Sequence, residues 1–190
     1  MTKYPEYVEV GGKLYKIDTD FKTAIECQRI SQQEIRGEER ALAIIYLLFG
    51  DEGLNNPPDY KELIKKGLFY LSCGKELNDD NSELDMDYSQ DESYIKASFY
   101  TDYAIPNVYE TNMHWWEFMD LLNGLKPDCV LNRVREIRTY DTSGIKDQKT
   151  LDAIRKQKEA VALKKQTPKL SEEQEKSVEQ FIQQMGFRKR

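Results

Sequence analysis

Residues 87–125, DYSQDESYIKASFYTDYAIPNVYETNMHWWEFMDLLNGL, constrain this chain more than any other stretch. They hold both tryptophans, the only histidine and five of the twelve tyrosines. That much aromatic area on two short helical patterns must either build a core or make an interface. Ser89 and Glu92 read as a capping box, in which the hydroxyl takes the Glu92 amide and the carboxylate reaches back. Ile95, Phe99 and Tyr103 follow at intervals of four, with Tyr94 and Ser98 beside them, so they share one helical face. Pro106 and Asn107 stop that helix. Trp115, Phe118, Met119 and Leu122 then repeat at i, i+3, i+4 and i+7, and Gly124 is placed to close the second helix. Adjacent tryptophans sit about 100° apart on a helix, so Trp115 and Trp116 cannot face the same way. One of the two is expected at the edge of the core or in a protein contact, where tryptophan is a frequent hot spot.

The flanking sequence is mostly helical in pattern. Residues 7–10 and 13–17 alternate around Gly11-Gly12, the signal of a short hairpin that must lean on helices. Asp18, Thr19 and Asp20 offer capping oxygens to a helix over 21–35, which Gly37 is expected to break. A nearly all-apolar helix over 38–49 reads as central and buried, and 50–58 reads as loop. A third helix is predicted from Pro58, with a stripe of Tyr60, Leu63, Ile64, Gly67, Leu68 and Leu71, ending at Gly74. Helices over 129–138 and 145–166 follow. In the first, Arg133, Arg135 and Arg138 are expected opposite the apolar side. Beyond Pro168, Ser171 and Gln174 form a capping box for a last helix striped by Val178, Phe181, Ile182 and Met185. The expected fold class is mainly α: a helical core domain over 1–138 with an N-terminal hairpin, and a basic helical extension or docking arm over 139–190.

Charge separates these two parts. Residues 140–190 carry 12 Lys and Arg against 8 Asp and Glu, so a net charge of −6 for the chain leaves −10 on residues 1–139. A basic tail on an acidic body favours self-association or an acidic protein partner. Its lysines alternate with acids and lack interleaved aromatics, which argues against nucleic acid. The longest apolar run, residues 41–49, is far short of the roughly 20 residues a bilayer demands. The N-terminal MTKYPEYVEV lacks the apolar segment of a secretory signal. Cys27, Cys73 and Cys129 are an odd count at wide spacing, which suits a reduced compartment and shows no metal pair or disulfide framework.

Little catalytic chemistry is visible. His114 has the side chain for acid or base work, with Glu110, Glu117 and Asp120 near in sequence, but no nucleophile motif accompanies it. A local hydrogen bond or an interface role is the simpler reading. The acidic run 79–87 lacks the glycine and glutamate of a helix-loop-helix calcium site and reads as solvated loop. No catalytic, cofactor or metal residue is assigned.

Several motifs carry a family resemblance. Ile17-Asp18-Thr19-Asp20-Phe21-Lys22 after the hairpin, Tyr94-Ile95-x-x-Ser98-Phe99, His114-Trp115-Trp116-Glu117-Phe118-x-x-Leu121-Leu122-x-Gly124-Leu125 and Ile137-Arg138 fall in order over residues 7–138. A looser fit continues to Lys165. The chain resembles small tail-morphogenesis proteins of siphophages and prophages of Gram-positive bacteria, encoded just before the tape-measure gene. The resemblance implies a non-enzymatic, chaperone-like factor in the host cytoplasm that escorts the tape measure while the tail tube polymerises. A structural adaptor or tail-completion protein of the virion is the alternative, and an enzyme or host-takeover factor using His114 is less favoured. Expected partners are the tape-measure protein, the major tail protein or further copies of the chain, without nucleic acid or membrane. The resemblance supplies no catalytic residues. Protein-binding candidates read from the residues are Phe99, Tyr103, Trp115, Trp116 and Phe118, with Phe181 and Ile182 as a second contact.

Overall fold

A computed structural model describes residues 4–33, 35–55, 57–75 and 84–164. It is mainly helical with one two-stranded antiparallel sheet, as the sequence predicts. Strands β1 (Tyr7–Val10) and β2 (Lys13–Lys16) pair from Tyr7 with Lys16 to Val10 with Lys13. Gly11 and Gly12 join them with φ of +57° and +78°, the pair of positive values that a type I′ turn requires. Val10, Tyr15 and Ile17 bury the inner side of the hairpin, and the Asp18 N–H donates to the Leu48 carbonyl at 2.7 Å. The hairpin thus rests on a helix.

That helix, α2 (Gly37–Leu54), follows α1 (Phe21–Ser31). Asp20 caps α1, its carboxylate accepting from the Lys22 N–H at 2.9 Å. The helix stops at Ser31, short of the predicted residue 35, because the Gln32 and Gln33 amides turn to the Arg29 and Ile30 carbonyls three residues back. Gly37 is not a breaker, since it begins α2. Arg40 secures the junction by donating to the Gln33 and Ile35 carbonyls at 2.7 and 3.3 Å. Phe49 does not end α2 either. Gly50, at φ +61° and ψ −156°, kinks it, and a further turn runs to Leu54 inside the stretch expected to be loop.

Helix α3 (Tyr60–Leu71) starts later than Pro58 because Asp59 takes the capping position, its Oδ1 accepting from the Lys61 and Glu62 amides at 2.8 and 3.1 Å. Helix α4 (Glu92–Tyr103) lacks the expected capping box. Asp87, not Ser89, is the acceptor there, taking the Ser89 and Gln90 amides at 3.0 and 2.7 Å. A 3-10 turn (Val108–Glu110) leads to α5 (Trp115–Asn123), then α6 (Val130–Thr139) and α7 (Gln148–Val161). Helix α7 starts later than the predicted residue 145, since Asp147 caps it by accepting from the Thr150 N–H at 2.8 Å, and it ends at Val161, where Ala162 leaves the helical conformation. The helix predicted after Ser171 lies outside the described residues.

The core is organised by aromatic rings. Phe118 lies parallel to Phe21, Phe99 and Trp115, with centroids 4.5, 5.4 and 5.9 Å away, and Tyr88 tilts against it at 6.3 Å. Phe21, Phe99, Trp115 and Phe118 are fully buried. One residue from each of α1 and α4 and two from α5 therefore converge on a single stack, which helps hold these three helices together.

Arg138 departs from the expected solvent side. Its guanidinium makes a bidentate pair with Asp91, both Nη–Oδ distances being 2.7 Å, with side-chain exposures of 10% and 1%. Nε donates to the Val161 carbonyl at 2.6 Å and Nη1 to the Asp85 carbonyl at 2.9 Å. Asp91 hydrogen bonding raises the guanidinium pKa above its ordinary value against the opposing effect of burial. One side chain thereby joins α6, the entry to α4 and the end of α7. Next to it, the Gln90 amide pairs with the Lys164 backbone, Oε1 accepting from N–H at 2.8 Å and Nε2 donating to the carbonyl at 3.0 Å.

Helix α4 ends on Ala104, an exposed residue at φ +55° whose N–H reaches the Tyr100 carbonyl at 3.0 Å. A left-handed conformation costs an L-residue about 1–2 kcal/mol, part of which glycine returns as unfolded-state entropy. Ala104→Gly is expected to stabilise the fold by about 0.5–1 kcal/mol. A urea midpoint that falls instead would show that this turn is not left-handed.

Candidate functional site: an aromatic ridge over the end of α3

The carboxyl end of α3 carries a Schellman-type closure. Cys73 at φ +54° donates its N–H to the Tyr70 carbonyl at 3.0 Å, and Gly74 at φ +76° donates to the Phe69 carbonyl at 2.9 Å. Carbonyls at such an end have no partners within the helix and carry the negative pole of its dipole. The two adjacent tryptophans of α5 supply donors. Trp115 Nε1 donates to the Leu71 carbonyl at 3.0 Å, and Trp116 Nε1 to the Tyr70 carbonyl at 2.9 Å. The 100° offset between them sends Trp115 into the core and leaves Trp116 half-buried at its edge, the division the sequence predicts for the pair.

Trp116 belongs to a row of rings. Tyr4 stacks on His114 at 5.0 Å, His114 meets the edge of Tyr70 at 5.9 Å, and Tyr70 stacks on Trp116 at 6.1 Å. A Cβ on Gly74 would lie 3.1 Å from Trp116 Cη2 and 3.6 Å from Phe69 Cζ, so Phe69 adjoins the indole across the glycine. Any larger residue at 74 would press on the indole and adopt a left-handed backbone as well. Phe69 is 49% exposed, Tyr4 and Trp116 are half-buried, and Tyr70 lies beneath them. Exposed Glu117 and Asp120 flank Trp116 on α5, and the Tyr4 hydroxyl donates to Asp120 Oδ2 at 2.8 Å, which raises the phenol's pKa. Burial likewise pushes the Tyr70 phenol up.

His114 is the hinge pin of this arrangement. Its Nδ1 accepts from the Trp116 N–H at 3.0 Å as the N-cap of α5, so Nε2 carries the proton and donates to the Pro5 carbonyl at 3.0 Å. Both nitrogens are thereby committed to backbone. The Trp115 N–H donates to the Thr19 carbonyl at 2.8 Å, and the Phe21 N–H to the Met113 carbonyl at 3.1 Å, which fastens the start of α5 to the entry of α1. The result is a row of aromatic rings bordered by the exposed carboxylates of Glu117 and Asp120 and by exposed Lys75 beside Gly74.

Of the residues singled out from sequence, Phe99, Trp115 and Phe118 come together in the buried stack, and Trp116 alone lies on the ridge. Tyr103 is half-buried against Phe99, its hydroxyl donating to the Leu121 carbonyl at 2.7 Å. That hydroxyl lies 2.9 Å from where a Cβ on Gly124 would be. Gly124 does close α5, with a right-handed φ of −84°, so clearance for Tyr103 is what the site requires of it. Phe181 and Ile182 lie outside the described residues. Phe69, Tyr4 and Tyr70 are additional. The signal for Phe69 was available, as an aromatic residue lying off the apolar stripe of an amphipathic helix. Nothing local announces Tyr4.

Among the described residues no three His, Cys, Asp or Glu side chains cluster to hold a metal ion, and no helix is long and apolar enough to cross a membrane. No curated protein and no solved structure matches the chain. The family described as Bacteriophage Gp15 protein matches residues 2–163, a span that contains the hairpin, all seven described helices and the ridge. That family suggests a phage structural or assembly role. On a match of this extent, the chain belongs to the Bacteriophage Gp15 protein family.

Proposed function

We propose that this protein is a non-catalytic tail-assembly factor that escorts the tape measure in the host cytoplasm, and that the ridge around Trp116 is its docking surface. The observation that supports this most is the geometry of Trp116. Its side chain is half-buried, with one part accessible, and is fixed at Nε1 by the Tyr70 carbonyl, so a partner meets it without ordering a mobile side chain. A tape measure is a long apolar helical chain, and a helix laid against an aromatic rim is a recurring mode of recognition. The tail-block setting comes from the family resemblance.

Co-expression with the neighbouring tape-measure protein tests the proposal. Trp116→Ala is expected to cost about 2 kcal/mol of binding, or roughly 30-fold in affinity, and to abolish co-purification while the variant stays folded. Undiminished recovery of the complex would remove the ridge from the interface. Recovery of the protein in purified particles would favour the virion adaptor over the chaperone.

A further inference from the structure

We infer that His114 is an acid-sensitive latch: its neutral ring caps α5 and pins Tyr4 and Pro5 over the ridge, and its protonated ring leaves the cap and frees them, uncovering Trp116. The inference concerns how the ridge is held together and does not depend on what docks there. His114 is the only histidine of the chain. Its Nδ1 accepts from the Trp116 N–H at 3.0 Å, while Nε2 meets the Pro5 carbonyl at 3.0 Å. One ring nitrogen must be bare and the other must carry a proton, a combination that only the neutral imidazole provides. A second proton puts an N–H on Nδ1, aimed at the Trp116 N–H. Two donors then face each other at the positive pole of a helix.

The groups around the ring decide where it goes. Tyr4 stacks on it from the N-terminal segment and Tyr70 meets it from α3, with Lys75 exposed just beyond that helix. At the entry of α1, Asp20 pairs with His114 through the backbone, but its carboxylate accepts from the Lys22 N–H and lies 3.2 Å from Lys22 Nζ. Asp18 accepts from the Asp20 N–H and the Thr23 hydroxyl. Glu6 adjoins Pro5, and Glu117 and Asp120 are exposed on α5 itself. These last carboxylates attract an imidazolium, whereas the first amides of α5 repel it. A charged ring therefore gains by swinging out of the cap toward them. Leaving, it withdraws the Nε2 donor from Pro5, the stacking partner from Tyr4 and the edge contact from Tyr70. The Ile17 N–H still donates to the Glu6 carbonyl at 2.9 Å, and the Trp115 N–H to the Thr19 carbonyl at 2.8 Å. The opening thus stays local.

The test follows the full-length protein from about pH 8 to about pH 5, the range in which an imidazole charges. Nitrogen NMR of the single imidazole reports its tautomer and charge, and far-UV circular dichroism reports the helices. Acrylamide quenching reports Trp116, since Trp115 is fully buried. At the alkaline end the ring is expected as the Nε2–H form. As it charges, the quenching constant is expected to rise in step, with about fivefold more of the opened form, the size of one lost N-cap, and with helix content unchanged. His114→Asn keeps a capping oxygen and cannot charge, so its quenching is expected to stay flat. A ring that charges with no change in quenching overturns the inference, as does one that stays neutral to the acid end. An equal rise in His114→Asn overturns it and assigns the response to the surrounding carboxylates. A rise accompanied by loss of the helix signal overturns it in favour of global unfolding.

Discussion

Phe118→Ala is expected to lower the stability of this protein by about 3–5 kcal/mol, the range for truncating a buried phenylalanine, toward the upper end of it. The ring is fully buried and is the common neighbour of Phe21, Phe99, Trp115 and Tyr88. Those neighbours come from α1, α4, α5 and the turn before α4, which have no single alternative way to close the void. Denaturant unfolding followed by circular dichroism measures the loss. Phe118→Leu should recover part of it, because apolar volume returns while stacking does not. A loss below about 1 kcal/mol, the size of a typical surface change, would show that the rings do not converge there.

Asp91→Ala should be almost as damaging, through electrostatics instead of volume. With the carboxylate gone, Arg138 keeps its bonds to the Val161 and Asp85 carbonyls but has no counter-charge in a site where its side chain is only 10% exposed. Breaking a buried pair from one side costs about 3–5 kcal/mol, whereas replacing both partners with apolar groups costs far less. Asp91→Leu combined with Arg138→Met is therefore expected to be more stable than Asp91→Ala alone. A double-mutant cycle in denaturant gives the coupling. Hydrogen exchange on Arg138→Met adds a local readout, since amides near Val161 should lose protection when the guanidinium bond to the Val161 carbonyl is removed. Additive single effects would mean that the pair is solvated.

Much of the helical layout was legible because hydrophobic spacing is a local property. The faces of α4 and α5 follow from Ile95, Phe99, Trp115, Phe118 and Leu122, all of which are buried. Helix ends were less legible, because they depend on which of several neighbouring oxygens wins a cap. Asp87 displaces Ser89 before α4, and Asp59 shifts the start of α3 past the prolines. The place of Arg138 could not be read locally at all, since its partner Asp91 lies 47 residues away. The ridge was half legible. Geometry on a single helix required one tryptophan of the pair to reach the edge, but choosing Trp116 depended on the carbonyls of α3 that receive the two indoles.

Site-specific photo-crosslinking tests the ridge as the partner-binding face most directly. p-Benzoylphenylalanine would be placed at position 69 on the ridge and, for comparison, at position 100 on α4, where Tyr100 is 61% exposed. In cells that also make the tape-measure protein, position 69 is predicted to give a tape-measure adduct that Trp116→Ala abolishes, with no such adduct from position 100. An adduct from position 100 and none from position 69 would contradict the account and move the interface to another face of the protein.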